Sequence, residues 1–426
     1  MTVALPCDTQ ATEANSNGLP SSSTTRPLRV NDWASVDNDA SNDMMIKNSR
    51  FIQDITFFSR YYFSEKHKGM KIFIAIDSFK NCITSKQPNE AARLGIMRRK
   101  PDAEVSCYEV SDGGEGFLEA SKSDEIVSCH VHDALMRWCD SAFGIKGGKA
   151  IIEVAKAVGL GMIEPENRNP LVATSYGVGE LMVQALRRGC REFVVGLGGS
   201  ATSDCGIGML KALKHEWQVT NRKAWYEPFD TSWLKDIKVT LATDVDNPLC
   251  GPNGAAHVFA PQKGANEMMV EKLERRALTF SKMAAKHQGR DCSSMPGAGA
   301  AGGLGYAFME FMDAKVESGA ETILRSNGFD ESLSSQKIDM VITGEGKADR
   351  QTLMGKLPSV ILFQCSSRNV PVFLLAGKVE DEKSLLTAGF SRVININDGL
   401  SMEHALNKDV AIARLANAVS AAVSSI

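Results

Sequence analysis

Lys71-Ile-Phe-Ile-Ala-Ile76, followed by Asp77-Ser78-Phe79-Lys80, is the stretch that decides the fold. A short, almost continuous apolar run belongs to a strand covered on both faces, because a strand wetted on one side alternates polar and apolar residues. The polar turn ends that run. A helix is expected over about Pro88 to Lys100, with Thr84 or Ser85 as N-cap and with Ala91, Leu94, Gly95 and Met97 at helical spacing. Strand, turn and helix open a βαβ unit. The same order recurs at Glu192-Phe-Val-Val-Gly-Leu197 with a helix from Gly206 to Leu213, at Lys337-Ile-Asp-Met-Val-Ile-Thr343, and at Val370-Pro-Val-Phe-Leu-Leu-Ala376. The sequence therefore predicts an α/β protein with mostly parallel strands.

Around these strands the chain has an ordinary globular composition. Of its 426 residues 43% are hydrophobic and 23% charged, with a formal net charge of −3, which excludes disorder throughout, collagen, coiled coil and a strongly basic nucleic-acid binder. At about 150 residues per domain the length suggests two or three domains. Residues 1–43 are rich in Ser, Thr and Asn and poor in apolar side chains, so no packed structure is expected there. Residues 44–69 are basic and aromatic. They read as a linker or a strand-like arm, with a mitochondrial targeting helix as the alternative, and residues 1–69 together as an N-terminal extension. No run of 18 apolar residues exists, so no membrane span is predicted. The ten cysteines include no Cys-x-x-Cys pair and read as reduced thiols in a cytosol-like compartment, which makes a cytoplasmic location the expectation.

Glycine is in slight excess, 36 residues, and it is concentrated. Asp112-Gly113-Gly114-Glu115-Gly116, Gly196-Leu-Gly198-Gly199-Ser200-Ala-Thr202-Ser203-Asp204, Gly297-Ala-Gly299-Ala-Ala-Gly302-Gly303-Leu-Gly305 and Thr343-Gly344-Glu345-Gly346-Lys347-Ala348-Asp349 read as glycine-rich loops, mostly at strand ends. Such loops can aim several N–H groups at one anion, and ligands of open α/β sheets sit at the carboxyl ends of strands. A phosphate or carboxylate cradle is the functional reading; tight turns that need glycine for geometry alone are the structural one. Two of the loops match the dinucleotide pattern at Gly196 to Ala201 and Gly297 to Gly302. The first lacks a suitable acid about 20 residues on, since Glu216 falls in a helical stretch, and the second follows no buried strand. A Walker A loop is absent.

Acids are the second ingredient. Asp77, Asp112, Asp204, Asp244, Asp246 and Asp349 each lie just past an apolar run or in a glycine loop, and Asp244 and Asp246 stand at i, i+2. In an extended segment that pair faces one side, as a Mg²⁺ site or a base with its orienting partner requires. Phosphate-cradling backbone, carboxylates for Mg²⁺, a carboxylate for the hydroxyl proton and a cation for the developing charge are the parts of phosphoryl transfer. Lys80, Lys263, Lys347 and Lys356 are the cations nearest these motifs.

The motifs also carry a family resemblance. Asp77-Ser-Phe-Lys80, Ser111-Asp-Gly-Gly-Glu-Gly116, Asn169-Pro-Leu with Thr174-Ser-Tyr-Gly177, Gly198-Gly-Ser-Ala-Thr202, Asp244-Val-Asp-Asn-Pro-Leu-Cys-Gly251, Pro261-Gln-Lys-Gly264, Pro296-Gly-Ala-Gly-Ala-Ala-Gly-Gly303, and Thr343-Gly-Glu-Gly346 with Gly355-Lys356 resemble, in order, the glycerate kinases of the bacterial class II type. The resemblance implies ATP- and Mg²⁺-dependent phosphorylation of D-glycerate, usually at the 2-hydroxyl; a glycerate 3-kinase, a nicotinamide-dependent oxidoreductase and a catalytically silent metabolite-binding relative are the alternatives. No nucleic-acid or membrane partner is expected. It also implies a Rossmann-like or flavodoxin-like domain built from both chain ends, 70–125 and 296–426. A second α/β domain, 126–295, is inserted, with the active site in the cleft.

On this reading Asp204 is the base, Lys80 meets the transferred phosphoryl group, and Asp246 assists. Asp77, Ser78, Ser175, Gly198, Gly199, Ser200 and Thr202 hold glycerate. Asp112, Gly113, Gly114, Glu115, Thr343, Gly344, Glu345 and Gly346 face ATP, and Asp244 and Asp246 orient Mg²⁺, with Asp112 and Glu115 as rivals. Ser203 and Cys205 stand where the family commonly has Asn and Gly, and Lys347 and Arg350 where it has Arg and Gly.

Overall fold

The computed structural model describes residues 69–79, 86–224, 226–398 and 407–424. Lys80 and the expectations for residues 1–68, targeting included, lie outside the described residues.

Eleven described strands form two sheets: β1 (Lys71–Ile76), β2 (Glu104–Cys107), β3 (Glu125–His132), β4 (Trp138–Lys146), β5 (Lys149–Glu153), β6 (Glu192–Gly196), β7 (Lys238–Ala242), β8 (Lys315–Glu317), β9 (Met340–Ala348), β10 (Val372–Val379) and β11 (Arg392–Asn395). The first sheet has the order β11-β10-β9-β1-β2 and is parallel throughout. The second has the order β3-β4-β5-β6-β7-β8; its β3–β4 and β4–β5 pairs are antiparallel and the rest parallel.

The opening strand explains the first sheet. Ile72, Ile74 and Ile76 point into one cluster, with Ala91, Ala92 and Ile96 of the helix Lys86–Met97 and Leu415 and Val419 of the helix Lys408–Ser424. Phe73 and Ala75 point the other way, into a cluster with Tyr108, Phe329, Val341 and Leu374. Both faces are covered, as the continuous apolar run requires. The helix buries Ala91, Ala92, Gly95 and Ile96, whereas Leu94 is exposed. Gly95 lies against the backbone of Ala416, and a Cβ there would sit 3.1 Å from that carbonyl carbon.

The second sheet has its own core, in which Phe193, Val195 and Leu241 meet Val178, Leu181 and Met182 of the helix Tyr176–Arg187, Met209 and Leu213 of the helix Ile207–Thr220, and Phe308 of the helix Ala300–Met312. Its opposite face shares the cluster of Phe73, through Ile151, Ala242, Phe117 and Leu324. The return to the first sheet comes later than residue 296. Residues 300–312 pack into the second core and β8 pairs with β7. The helix Gly319–Ser326, which follows β8, buries Ile323 and Leu324 in the shared cluster.

Candidate active site

The loop Ser111–Gly116 links β2 to the short helix Phe117–Ala120. Gly113 and Gly116 take φ of 94° and 84°, conformations that favour glycine. Gly114 N–H donates to Asp112 Oδ1 at 3.2 Å. From below, Glu153 at the end of β5 accepts the Leu118 N–H at 3.0 Å, so a buried carboxylate holds the helix start; burial raises its pKa.

This loop is where the strand ends converge. Gly198 N–H donates to Gly113 O at 2.8 Å, and a Cβ on Gly198 would lie 2.5 Å from Gly114 Cα. A Cβ on Gly319 would lie 2.7 Å from Gly113 N. Gly319 N–H donates to Asp244 Oδ1 at 3.0 Å, and Thr243 N–H to Glu317 O at 3.1 Å. Glu115 leans over the loop tip, its Cγ 3.7 Å from where a Gly199 Cβ would sit. Of the expected residues, Asp112, Gly113, Gly114, Glu115, Gly198, Gly199 and Asp244 thus share one junction, beyond the ends of β2, β6, β7 and β8.

Asp244 is open to solvent on one side, yet enough protein crowds its carboxyl that desolvation pushes its pKa up to about 6; Asp112 adds like-charge repulsion, and Ser318 and the Gly319 N–H oppose the rise. Solvent on the open side blunts that shift. A carboxyl crowded by a second acid suits a divalent cation, which would relieve the repulsion on Asp244. Among the described residues no three His, Cys, Asp or Glu side chains gather as a closed metal site. Asp112 and Asp244 fit Mg²⁺, which is commonly bound through one or two protein carboxylates. Asp246 is exposed.

The loop from Gly198 to Asp204 is tightly held, and it corrects two expectations. Asp204 Oδ2 accepts from Ser175 N at 2.9 Å, Ser175 Oγ at 3.0 Å, Gly208 N at 3.0 Å and Thr174 Oγ1 at 3.3 Å, while Oδ1 accepts from Gly206 N at 3.1 Å. Five donors converge on a carboxylate with about four lone-pair sites, so Asp204 anchors the start of the helix Ile207–Thr220 rather than waiting for a substrate hydroxyl. Ser175 is fully buried, donates to Asp204 and accepts from Met209 N at 3.0 Å, so its hydroxyl is engaged inside the protein. Ser200 and Thr202 are buried as well. The Gly297–Gly305 stretch supports this loop: Ala301, Gly302 and Gly303 have φ of 51°, 67° and 89°, Cys205 N–H donates to Gly302 O at 3.0 Å, and a Gly302 Cβ would meet Ser203 Cα at 2.6 Å. Close backbone approach, not dinucleotide binding, accounts for its glycines. The acid considered for a ribose, Glu216, lies on the helix Ile207–Thr220 and pairs with Arg187.

A second group lies at the end of the first sheet. Asp77 N–H donates to Gly344 O at 3.0 Å, and Ser78 N–H to Asp77 Oδ1 at 2.7 Å. Thr343 to Gly346 is not a loop: it lies inside β9, paired with β10 through Gly344 and Glu345. A Cβ on Gly344 would meet Leu375 O at 2.5 Å, which explains glycine in a strand. Thr343 is fully buried, and Glu345, its pKa raised by burial, is taken by Thr352 Oγ1 at 2.6 Å and Lys356 Nζ at 3.2 Å. Lys347 bridges Asp349 and Glu380, and Arg350 pairs with Asp381, so both departures from the family pattern are engaged in ion pairs.

Sequence reasoning missed Asn89. It is buried on the helix Lys86–Met97, accepts the Ile76 N–H at 3.0 Å and donates to Tyr108 O at 3.2 Å, so it ties the end of β1 to the segment that leads into the Ser111 loop. A polar residue among Ala91, Ala92 and Ile96 was the available signal. Lys263, read as a cation near the motifs, is buried.

The model of the glycerate kinase family matches residues 72–424. A glycerate kinase of Halalkalibacterium halodurans is 36% identical over 326 residues, covering 72% of this chain and 85% of its own length. A glycerate 2-kinase of Escherichia coli is 37% identical over 331 residues, covering 74% and 86%. A crystal structure from Salmonella typhimurium LT2, of a chain described as glycerate kinase 2, superposes with a TM-score of 0.68 at 31% identity, over 84% of this chain and 98% of that one. By this match over residues 72–424 and by these identities, the chain belongs to the glycerate kinase family.

Proposed function

We propose that this chain transfers the terminal phosphoryl group of ATP to the 2-hydroxyl of D-glycerate. The observation that carries the reading is the junction of Gly113 and Gly198, where two loops touch backbone to backbone beside Asp112 and Asp244. Such contact brings amide-lined loops and acids of different strands to one place, as in-line transfer between two bound anions requires. The name of the Escherichia coli relative supports the 2-hydroxyl.

In this reading the open tip Gly198–Gly199 meets glycerate, and the Gly113 amide meets phosphate. Asp112 and Asp244, with Asp246 nearby, would hold Mg²⁺, which would supply charge screening on the phosphates and on the transferring group. Glu115, over the tip, takes the hydroxyl proton in place of Asp204. Asp77 and Ser78, beside Glu345 and Gly346, form the other wall. The two sheets act as two domains, and residues after β8 rejoin the first.

ATP consumption with D-glycerate, followed by phosphorus NMR of the product, tests this. A 2-phosphoglycerate signal is expected. A 3-phosphoglycerate signal overturns the regiochemistry, and no turnover at millimolar Mg²⁺ overturns the activity.

A further inference from the structure

Lys263 is 3% exposed, and desolvation pulls its pKa down to about 7, opposed by the nearby charge of Asp204. Burying an ammonium is costly unless its donors are satisfied, so its partners bear on its role. It ends the short helical turn Pro261–Lys263, and Gly264, with φ of 93°, turns the chain away behind it. Its Nζ donates to Thr202 O at 2.6 Å and to Ser200 Oγ at 3.1 Å. Arg276, from the helix Glu267–Gln288, does the same for the next carbonyl, Ser203 O, at 2.6 Å, and for Leu171 O at 3.1 Å.

Two cations therefore grip consecutive carbonyls of one loop. In a trans peptide the C=O and the following N–H point opposite ways. Held like this, the Ser203 N–H is turned away from Lys263 and the Asp204 N–H away from Arg276, and neither has a protein acceptor among the described residues. The same grip fixes Ser200, next to the open tip Gly198–Gly199.

We propose that Lys263 is a positioning residue for the hydroxy-acid subsite: its buried side chain sets the loop from Gly198 to Asp204 in the conformation that receives the substrate carboxylate. Both donors survive loss of one proton, so the grip does not depend on the charge of Lys263. The inference rests on the glycerate reading above.

The test is Lys263→Met, which keeps the length and burial of the side chain and removes its donors. With the fold verified by circular dichroism, KM for D-glycerate should rise at least tenfold, while KM for ATP and kcat stay within about twofold. A merely structural role would lower the melting temperature and leave that ratio alone. An unchanged KM for glycerate, or parallel changes in both KM values and kcat, overturns the proposal. A readout without turnover separates it from the functional reading: amide hydrogen exchange of the free protein should quicken at least tenfold in peptides spanning 197–206 and not in β9 or β10. Wild-type protein that fails to phosphorylate glycerate sinks the functional reading, whereas unchanged exchange in Lys263→Met sinks the positioning role. If Lys263→Met does not fold, Lys263→Gln, which keeps a donor, is measured the same way. Failure of both to fold makes Lys263 a folding residue and overturns the proposal.

Discussion

Gly198 has no room for a side chain, since a Cβ would lie 2.5 Å from the Cα of Gly114, and backbone on both sides gives way least easily. Gly198→Ala should part the two loops by about 1 Å and lower kcat/KM on the order of 100-fold, with a smaller loss of stability; steady-state kinetics beside a urea titration checks this. Asp204 and Glu115 make the complementary pair. Asp204→Asn turns an amide toward five donors and should cost on the order of 3 kcal/mol in urea denaturation while the folded enzyme keeps measurable turnover. Glu115→Gln should leave the denaturation midpoint in place and reduce kcat about 100-fold or more. Equal kcat for Glu115→Gln and wild type would remove Glu115 as the base. Which carboxylate is engaged was not legible in the sequence: Asp204 and Glu115 both sit in glycine loops, and only tertiary contacts distinguish an anchoring acid from an open one.

Among the elements, the strands around Ile74, Val195, Val341 and Leu374 were legible because burial on both faces leaves an unbroken apolar run. The antiparallel β3 and β4 are not legible in the same way. They are polar at many positions, and Val127 and Val131 of β3 with Phe143 of β4 mark the inner face. Thr343 to Gly346 reads as a loop because glycine signals a turn in isolation, whereas in β9 Gly344 makes room for Leu375 O. Asn89 shows how a helix can serve a loop. Its amide replaces the missing ladder between Ile76 and Tyr108, where the strands part on the way to Ser111. Asn89→Ala should leave a buried N–H and a buried C=O without this partner and cost about 2–3 kcal/mol in thermal or urea unfolding. Because the loop downstream loses its anchor, kcat/KM should fall further than the stability loss alone explains; a variant that is destabilised but kinetically normal would confine Asn89 to folding.

At the scale of the molecule, two sheets share one buried cluster, so the energetics of either half reach the junction between them. The family motifs imply an interrupted order of strands with the return to the first sheet from residue 296, whereas the glycine stretch at 297–305 supports its neighbour at Thr202 to Cys205. Lys263 holds the same neighbour through Ser200 and Thr202, and its ionisation should show in the stability of the protein. Below about pH 7 the lysine is protonated in both the folded and the unfolded chain, and the cost of burying the charge is borne in full. Between about pH 7 and the ordinary lysine value of 10.5 the folded chain has released this proton while the unfolded chain keeps it, so this group makes stability rise with pH. Lys263→Met abolishes the contribution. The difference in unfolding free energy, wild type minus Lys263→Met, should therefore increase by a few kcal/mol between pH 7 and pH 10, about 1.4 kcal/mol per pH unit at most. Urea titrations of both proteins across that range measure it, and a flat difference would show that the buried lysine keeps its proton.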